Sequence, residues 1–369
     1  LFAMARDESD DATLQAVAND AQRLENTVAE MEFRRMFSGE MDANPDSEHE
    51  PGLGFHVPGF WDKILDVQDC HLIPDYGNEI RNALRDEAIA LELSFWQPRA
   101  KVGALRTAML RSNQSGDWML IIQWGEHPGA DGFTLMHRMA ERFDRLVSLY
   151  WGLNEKVNDS MYDVDLHLFH GIEALEETME SAIEGGRALK FLISPKSFYQ
   201  TNPQQAHRLY SEALRAAGLK GGETVYDLYT GTGTIALFMA QVAGKVVGVE
   251  SVREAVDAAF RNAERNGISN ATFEAGDMRR IFTPEFVERH GQPDVIVVDP
   301  PREGMHPAVV SELARIAAPK LVYVSCNPST QARDIQMLSE AYEVVSVQGV
   351  DMFPQTHHVE NVVLLEKRK

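Results

Sequence analysis

The stretch Thr224-Val-Tyr-Asp-Leu-Tyr-Thr-Gly-Thr-Gly-Thr-Ile-Ala236 decides the fold. Its first five residues read as a short buried strand, and Thr234 to Val242 continues as a helix. Between them Gly231, Gly233 and Ala236 fit the G-x-G-x-x-G/A turn, where small residues let a ligand approach the backbone at a helix N-terminus. Further apolar runs follow, separated by helical patterns: Lys245-Val-Val-Gly-Val-Glu250, Ala271-Thr-Phe-Glu274, Val295-Ile-Val-Val298, Leu321-Val-Tyr-Val324, Glu343-Val-Val-Ser-Val347 and Asn361-Val-Val-Leu-Leu365. Strands alternating with helices imply βαβ units, so residues 191–369 are expected to form an α/β, Rossmann-like domain on a mostly parallel seven-stranded sheet. Only a loop separates the last two strands, which predicts a hairpin with one strand antiparallel.

Toward the N-terminus the pattern differs. Residues 1–34 are acidic and polar, with Leu14, Val17, Leu24 and Val28 at helical spacing, and are expected to be one amphipathic helix or a poorly ordered leader. A loop rich in Gly, Pro and acidic residues follows, centred on residues 42–51. Residues 54–67 have hairpin character, 74–93 and 132–150 read as helices, and 100–111 and 118–124 read as strands, with further strands to about 170. A smaller α+β domain over 35–190 is therefore expected ahead of the α/β domain.

The 369 residues carry a net charge of -21, and a pI near 5.0 speaks against a nucleic-acid partner on mean charge alone. No apolar run reaches membrane-spanning length, and the opening Leu1-Phe-Ala-Met-Ala-Arg6 lacks the basic-then-apolar pattern of a secretory signal. With only Cys70 and Cys326 there is no disulfide framework, and a reducing cytoplasm is the expected setting. One cysteine per half cannot build a zinc site or a four-thiolate cluster, so no metal is expected.

The glycine turn alone admits a dinucleotide or S-adenosylmethionine. Asp227 favours the second, because a carboxylate beside the turn would repel a pyrophosphate but suit an ammonium and a sulfonium. Glu250, ending the second strand, is placed to accept from ribose hydroxyls, and Asp277, after the third, to contact an adenine. Solvated charge at a strand end is the plainer reading of either residue taken alone.

The fourth strand leads into Asp299-Pro-Pro-Arg-Glu-Gly304, with Arg302 where amino-group methyltransferases place an aromatic residue. The fifth ends in Ser325-Cys326-Asn-Pro328, ahead of a helix whose N-cap is expected at Ser329. Cys326 would then lie at the carboxyl end of a strand, and a helix N-terminus favours thiolate over thiol; a small buried apolar residue is the alternative reading. A thiolate at this edge could add to C6 of a uracil and so activate C5 toward a methyl sulfonium. A base must then remove the C5 proton. The loop Asp351-Met-Phe-Pro-Gln-Thr-His-His-Val-Glu360 supplies Glu360 for that step, with His357 and His358 structural or RNA-facing.

Together these residues resemble the RNA (uracil-C5)-methyltransferases that make 5-methyluridine in 23S rRNA and tRNA. The resemblance covers about residues 190–369 through Ser197-Phe-Tyr-Gln200-Thr-Asn202, Asp227 to Gly233, Asp299-Pro-Pro-Arg302, Ser325 to Pro328, and Asp351-Met-Phe-Pro354 followed by Thr356 and Glu360. It implies a class I methyltransferase domain with Cys326 as nucleophile, Glu360 as base, and Gln200, Tyr229, Gly231, Gly233, Thr234, Glu250, Asp277 and Asp299 around S-adenosylmethionine; Tyr229 and Thr234 stand where relatives vary. Residues 54–75 resemble the family's central domain, which implies RNA contact, and Leu65 to Cys70 resembles the segment carrying the last ligand of an iron-sulfur cluster in the 23S rRNA branch. The three upstream cluster cysteines and the small RNA-binding barrel are missing, so the chain reads as truncated or divergent there and no iron-sulfur cluster is expected. A 23S rRNA substrate is preferred over tRNA, with no membrane and no obligate protein partner. The alternatives are an RNA cytosine-C5 methyltransferase, disfavoured by Pro301 where such enzymes carry a second cysteine, and a non-catalytic RNA-binding relative, disfavoured by Cys326 and Glu360.

Overall fold

The computed structural model describes residues 52–369 except 58, 61, 157, 159, 162, 355 and 357. The helix expected within residues 1–34, the loop over 42–51 and His357 therefore lie outside the described residues. The chain divides into two units, one running to Glu177 and taking back Leu192–Lys196, the other comprising Thr178–Phe191 and Ser197–Lys369. The boundary expected at residues 190–191 shifts because Met179, Leu189 and Phe191 are buried in the core of the second unit.

In the first unit, β1 (Phe55–His56) and β2 (Ile64–Leu65) form a short antiparallel ribbon. Then come α1 (Asp75–Ala90), β3 (Leu105–Ser112), β4 (Trp118–Trp124), α2 (Gly129–Arg142), β5 (Leu146–Leu153) and β6 (Leu166–Gly171). The sheet order is β3-β4-β5-β6, with only β4 and β5 parallel. Two expectations are corrected here. The helix over 132–150 stops at Arg142, because Leu146-Val-Ser-Leu-Tyr-Trp-Gly-Leu153 alternates buried apolar residues at strand period and pairs centrally with β4. The strand expected from Ala100 starts only at Leu105, since Lys101 and Gly103 hold φ of +57° and +121°.

The second unit contains the sheet read from the sequence. β7 (Leu175–Met179) and β8 (Leu189–Ile193) pair with each other, and the division between the units falls within them. There follow α3 (Pro203–Ala217), β9 (Thr224–Leu228), α4 (Thr234–Ala240), β10 (Lys245–Glu250), α5 (Arg253–Arg265), β11 (Ala271–Ala275), α6 (Met278–Ile281), α7 (Pro284–His290), β12 (Val295–Val298), α8 (Pro307–Ile316), β13 (Lys320–Ser325), α9 (Pro328–Leu338), β14 (Tyr342–Val350) and β15 (Glu360–Lys367). The order β11-β10-β9-β12-β13-β15-β14 puts β9 near the middle, and β15 runs antiparallel to both its neighbours.

Strand periodicity sorts the core into two layers. Val225, Val246, Val295, Val297, Val322 and Val324 pack with α3, α4 and α5. Tyr226, Val247, Ile296, Val298, Leu321 and Tyr323 pack with α7, α8 and α9. Each such buried side chain contributes about 1.5–3 kcal/mol relative to exposure, which fixes the strand ends that carry the polar residues.

Candidate active site

The turn between β9 and α4 carries Tyr229, Gly231 and Gly233 in left-handed conformations, with φ of +67°, +54° and +84°. A tyrosine held there is strained. A Cβ added at Gly231 would meet nothing within 4 Å, leaving open space against the backbone. One added at Gly233 would come within 3.0 Å of the Ala259 side chain, so that glycine serves the packing of α4 on α5. Thr234 is buried in the first turn of α4.

Glu250 ends β10 and ties the turn together. Its Oε2 accepts from the Gly231 amide at 3.1 Å, and its Oε1 from the Ser251 amide at 2.6 Å, the Ser251 hydroxyl at 2.9 Å and the Val252 amide at 2.9 Å. Asp277 caps α6 by accepting from the Arg279 amide at 3.0 Å. The Arg279 guanidinium, hydrogen-bonded to the same carboxylate, holds its pKa down to about 2. Tyr229, Ser251, Asp277 and Met278 share a cavity of about 530 Å³ with Pro301 and Met305, a size suited to a nucleoside-like ligand.

Asp227 is buried more deeply than the sequence suggested. The carboxyl expected to face a cationic ligand is fully sealed from solvent, with Oδ2 accepting from the Thr230 hydroxyl at 2.5 Å. Burial pushes its pKa up to about 7. It faces inward because residues 225 and 227 share the strand face covered by α3, α4 and α5.

At the other end of the site, Cys326 follows β13 directly and is partly buried. The N-cap of α9 is Asn327, whose Oδ1 accepts from the Ser329 amide at 3.1 Å, with Pro328 at the first helical position. The cap expected at Ser329 thus sits two residues earlier, where proline's missing N–H costs nothing. Ser325 pairs with Asn361, so Glu360, 6% exposed, opens β15 beside Cys326.

Burial pushes the Cys326 thiol up, the neighbouring Glu360 carboxylate adds to that, and Arg302 opposes both. The expected bias of the helix N-terminus toward thiolate is thus opposed by burial and by the neighbouring carboxyls. Burial also pushes Glu360 up to about 7 against Arg302. Asp299, beside Glu360, is pushed well above the carboxylate range by burial and then by Glu360 and Asp227. Arg302, which the sequence marked only as replacing an aromatic residue, is the cation of the site, with a guanidinium nitrogen 3.2 Å from Nδ1 of His358. Gln200 is partly buried in the loop before α3. Asn202, the N-cap of α3, ties that loop to the Asp351 to Pro354 segment by donating to the Met352 carbonyl at 3.0 Å.

Residues 170–368 match the family model described as tRNA (Uracil-5-)-methyltransferase. The chain belongs to this family. An uncharacterized RNA methyltransferase of Bacteroides thetaiotaomicron is 48% identical over 319 residues, which is 86% of this chain and 69% of that protein. A second from Porphyromonas gingivalis is 46% identical over 330 residues, 88% and 70% of the two chains. Among solved structures, the tRNA (uracil-54, C5)-methyltransferase of Pyrococcus abyssi, in complex with S-adenosyl-L-homocysteine, aligns with a TM-score of 0.68 at 31% identity, covering 83% of this chain and 71% of its own.

As a member of the family the protein is an S-adenosylmethionine-dependent RNA (uracil-C5)-methyltransferase with a Rossmann-like class I domain. The residues present fit that donor: open space against Gly231, a carboxylate at the end of β10, and a cavity rimmed by the Tyr229 ring and by Asp277. Among the described residues no helix is long and apolar enough to cross a membrane.

Proposed function

We propose that the protein methylates C5 of a uridine through a covalent bond from Cys326 to C6, with Glu360 as the base that removes the C5 proton. The apposition of Cys326 and Glu360 at neighbouring strand ends, under the charge of Arg302, carries this reading. S-adenosylmethionine, when bound, supplies an electrophilic methyl group. Gln200, Asp227, Tyr229, Gly231, Gly233, Thr234, Glu250, Asp277 and Asp299 are proposed to surround it, Asp227 acting from its buried position beneath the turn.

The residues of this chain would divide the work as follows. Cys326 loses its proton to water, helped by Arg302, and its sulfur adds to C6, placing the ring electrons so that C5 becomes nucleophilic. After the methyl has moved to C5, Glu360 takes the C5 proton and the C6–S bond breaks, restoring the double bond and the thiolate. A carboxyl with a pKa of about 7 is suited to this exchange at neutral pH.

We further propose a uridine of 23S rRNA as target, on the likeness of the Leu65 to Cys70 segment, which is knotted to α1 by Asn78 bonds to the Cys70 amide at 3.0 Å and carbonyl at 3.1 Å. The second reading, tRNA, is favoured by the description of the family and by the substrate named for the Pyrococcus enzyme. Mass mapping of 5-methyluridine after incubating the protein and donor with unmodified rRNA and tRNA tests both. Methyl groups only on tRNA would remove the rRNA reading, and none on either would remove the function.

A further inference from the structure

The motif around Cys326 continues into α9 beyond anything the chemistry has used. Asn327, Thr330 and Asp334 recur at helical spacing and therefore lie along one face of α9, with Arg333 beside them. The loop after β12 is stitched to that face residue by residue. The Arg302 carbonyl accepts from Asn327 Nδ2 at 3.0 Å and from the Thr330 hydroxyl at 3.0 Å. The Glu303 carbonyl accepts from Arg333 Nη2 at 2.8 Å.

Gly304, with φ of +77°, has no room for a side chain: a Cβ there would come within 2.7 Å of Asp334 Oδ2 and 2.6 Å of Arg333 Nη2. Met305 then donates its amide to Asp334 Oδ2 at 2.7 Å. Asp334 is fully buried. The same Oδ2 accepts from the Tyr323 hydroxyl at 2.7 Å, and Oδ1 accepts from Arg333 at 2.9 and 2.7 Å. One carboxylate thus joins β13, α9 and the Arg302 loop. A charged group at zero exposure is costly unless fully satisfied, and here every donor secures a segment next to Cys326.

We propose that Asp334 is a positioning residue for methyl transfer: it clamps the loop from Arg302 to Met305 onto α9, so that the Arg302 guanidinium acts on both Cys326 and Glu360. This deepens the proposed function and rests on it for the role of the thiol. The charged and titratable groups that act on Cys326 are Glu360 from β15 and Asp299 and Arg302 from the segment after β12. Arg302 is the only cation among them. Loosening its loop leaves the thiol facing carboxyls without their counterweight.

The test reads the thiol directly, in the full-length chain. Alkylation of Cys326 by iodoacetamide is followed across the neutral-to-alkaline range and resolved by peptide mass, so that Cys70 does not contribute. Asp334→Asn is expected to slow alkylation at neutral pH by roughly tenfold, the effect of a one-unit rise in thiol pKa. Gly304→Ala, which pushes the same loop against Asp334 and Arg333 while keeping the carboxylate itself, is expected to do likewise, and it carries the test if Asp334→Asn fails to fold. Arg302→Gln alone should match them, and combining it with Asp334→Asn should add little, as expected for groups acting through one another. A lowered melting temperature with an unchanged thiol profile, or full additivity of the two variants, overturns the proposal. Formation of 5-methyluridine is measured in parallel. Unchanged thiol profiles beside normal product remove the role of Asp334 alone, whereas shifted profiles without any product from the unmodified enzyme keep the clamp and remove the methyl-transfer reading.

Discussion

Asn361 pairs with Ser325 across the antiparallel β13–β15 ladder, and this one register step brings the Glu360 carboxyl and the Cys326 thiol to the same end of adjacent strands. A slip of one residue would turn Glu360 to the opposite face. Gln331 holds the register from α9: its Oε1 accepts from Asn361 Nδ2 at 2.6 Å, and its Nε2 donates to the Tyr323 carbonyl at 2.8 Å and the Asn361 carbonyl at 3.3 Å.

Gln331→Leu keeps the volume but strands the buried Asn361 side-chain amide and removes a donor from two buried carbonyls. Stability should fall by about 1–3 kcal/mol, read by urea unfolding, and methyl transfer should fall with it. An unchanged unfolding midpoint would show that the register does not depend on Gln331.

Cys326→Ala should abolish methyl transfer while leaving donor affinity nearly unchanged, since the thiol acts on the base and not on the donor. Calorimetric titration with S-adenosylmethionine beside a tritiated-methyl assay checks both halves. Activity surviving in the alanine variant would end the covalent mechanism.

Glu360→Gln should still attack RNA and transfer the methyl, then stall before elimination. A slowly migrating, methyl-labelled protein–RNA band on a denaturing gel is expected, and it should vanish in the Cys326→Ala, Glu360→Gln double variant. Normal activity without any adduct would remove Glu360 as the base.

The titration of the same residue sets a pH dependence. Glu360 has a folded pKa of about 7, above its ordinary value of 4.5, so it is protonated in the native state where the unfolded chain is already ionised. It costs nothing below the unfolded pKa, and its burden grows as pH rises and is complete above about 7. Relative to the unmodified protein, Glu360→Gln should be more stable at pH 8 by up to about 3 kcal/mol and no different at pH 4. Because the base must be ionised, kcat/KM of the unmodified enzyme should climb through about pH 7.

Glu250→Ala frees the amides of Gly231, Ser251 and Val252 together. Donor affinity should weaken by about 1–3 kcal/mol, measured by calorimetry. Tight binding of NAD by the unmodified protein would mean that the glycine turn serves a different ligand.

All seven strands of the large sheet were legible in the sequence, because each contains an apolar run bounded by turn residues; the central ones are buried on both faces, whereas the edge strands β11 and β14 are not. Its glycine turn was legible because Gly231 and Gly233 have φ values that other residues rarely adopt. The orientation of Asp227 was harder to read: a motif gives a residue's place in a turn but not which strand face it shares, and position 227 falls on the inner one. The end of α2 was misplaced because residues 143–153 are apolar enough to fit either period, and pairing with β4 decides between them. Arg302 and Asp334 gave little signal, since an arginine after two prolines and an aspartate inside a helix look like ordinary surface charge. Their roles come from hydrogen bonds between segments that are distant in sequence.

β15 is the last strand in the chain order of the sheet, yet it lies between β13 and β14, which precede it. During synthesis, β13 and the thiol that follows it emerge first, and the carboxyl of Glu360 arrives only when a later segment slots into the gap. If Cys326 and Glu360 act as proposed, a chain whose last strand has not yet joined the sheet would hold the thiol without its carboxyl partner, and catalytic competence would report the completion of folding.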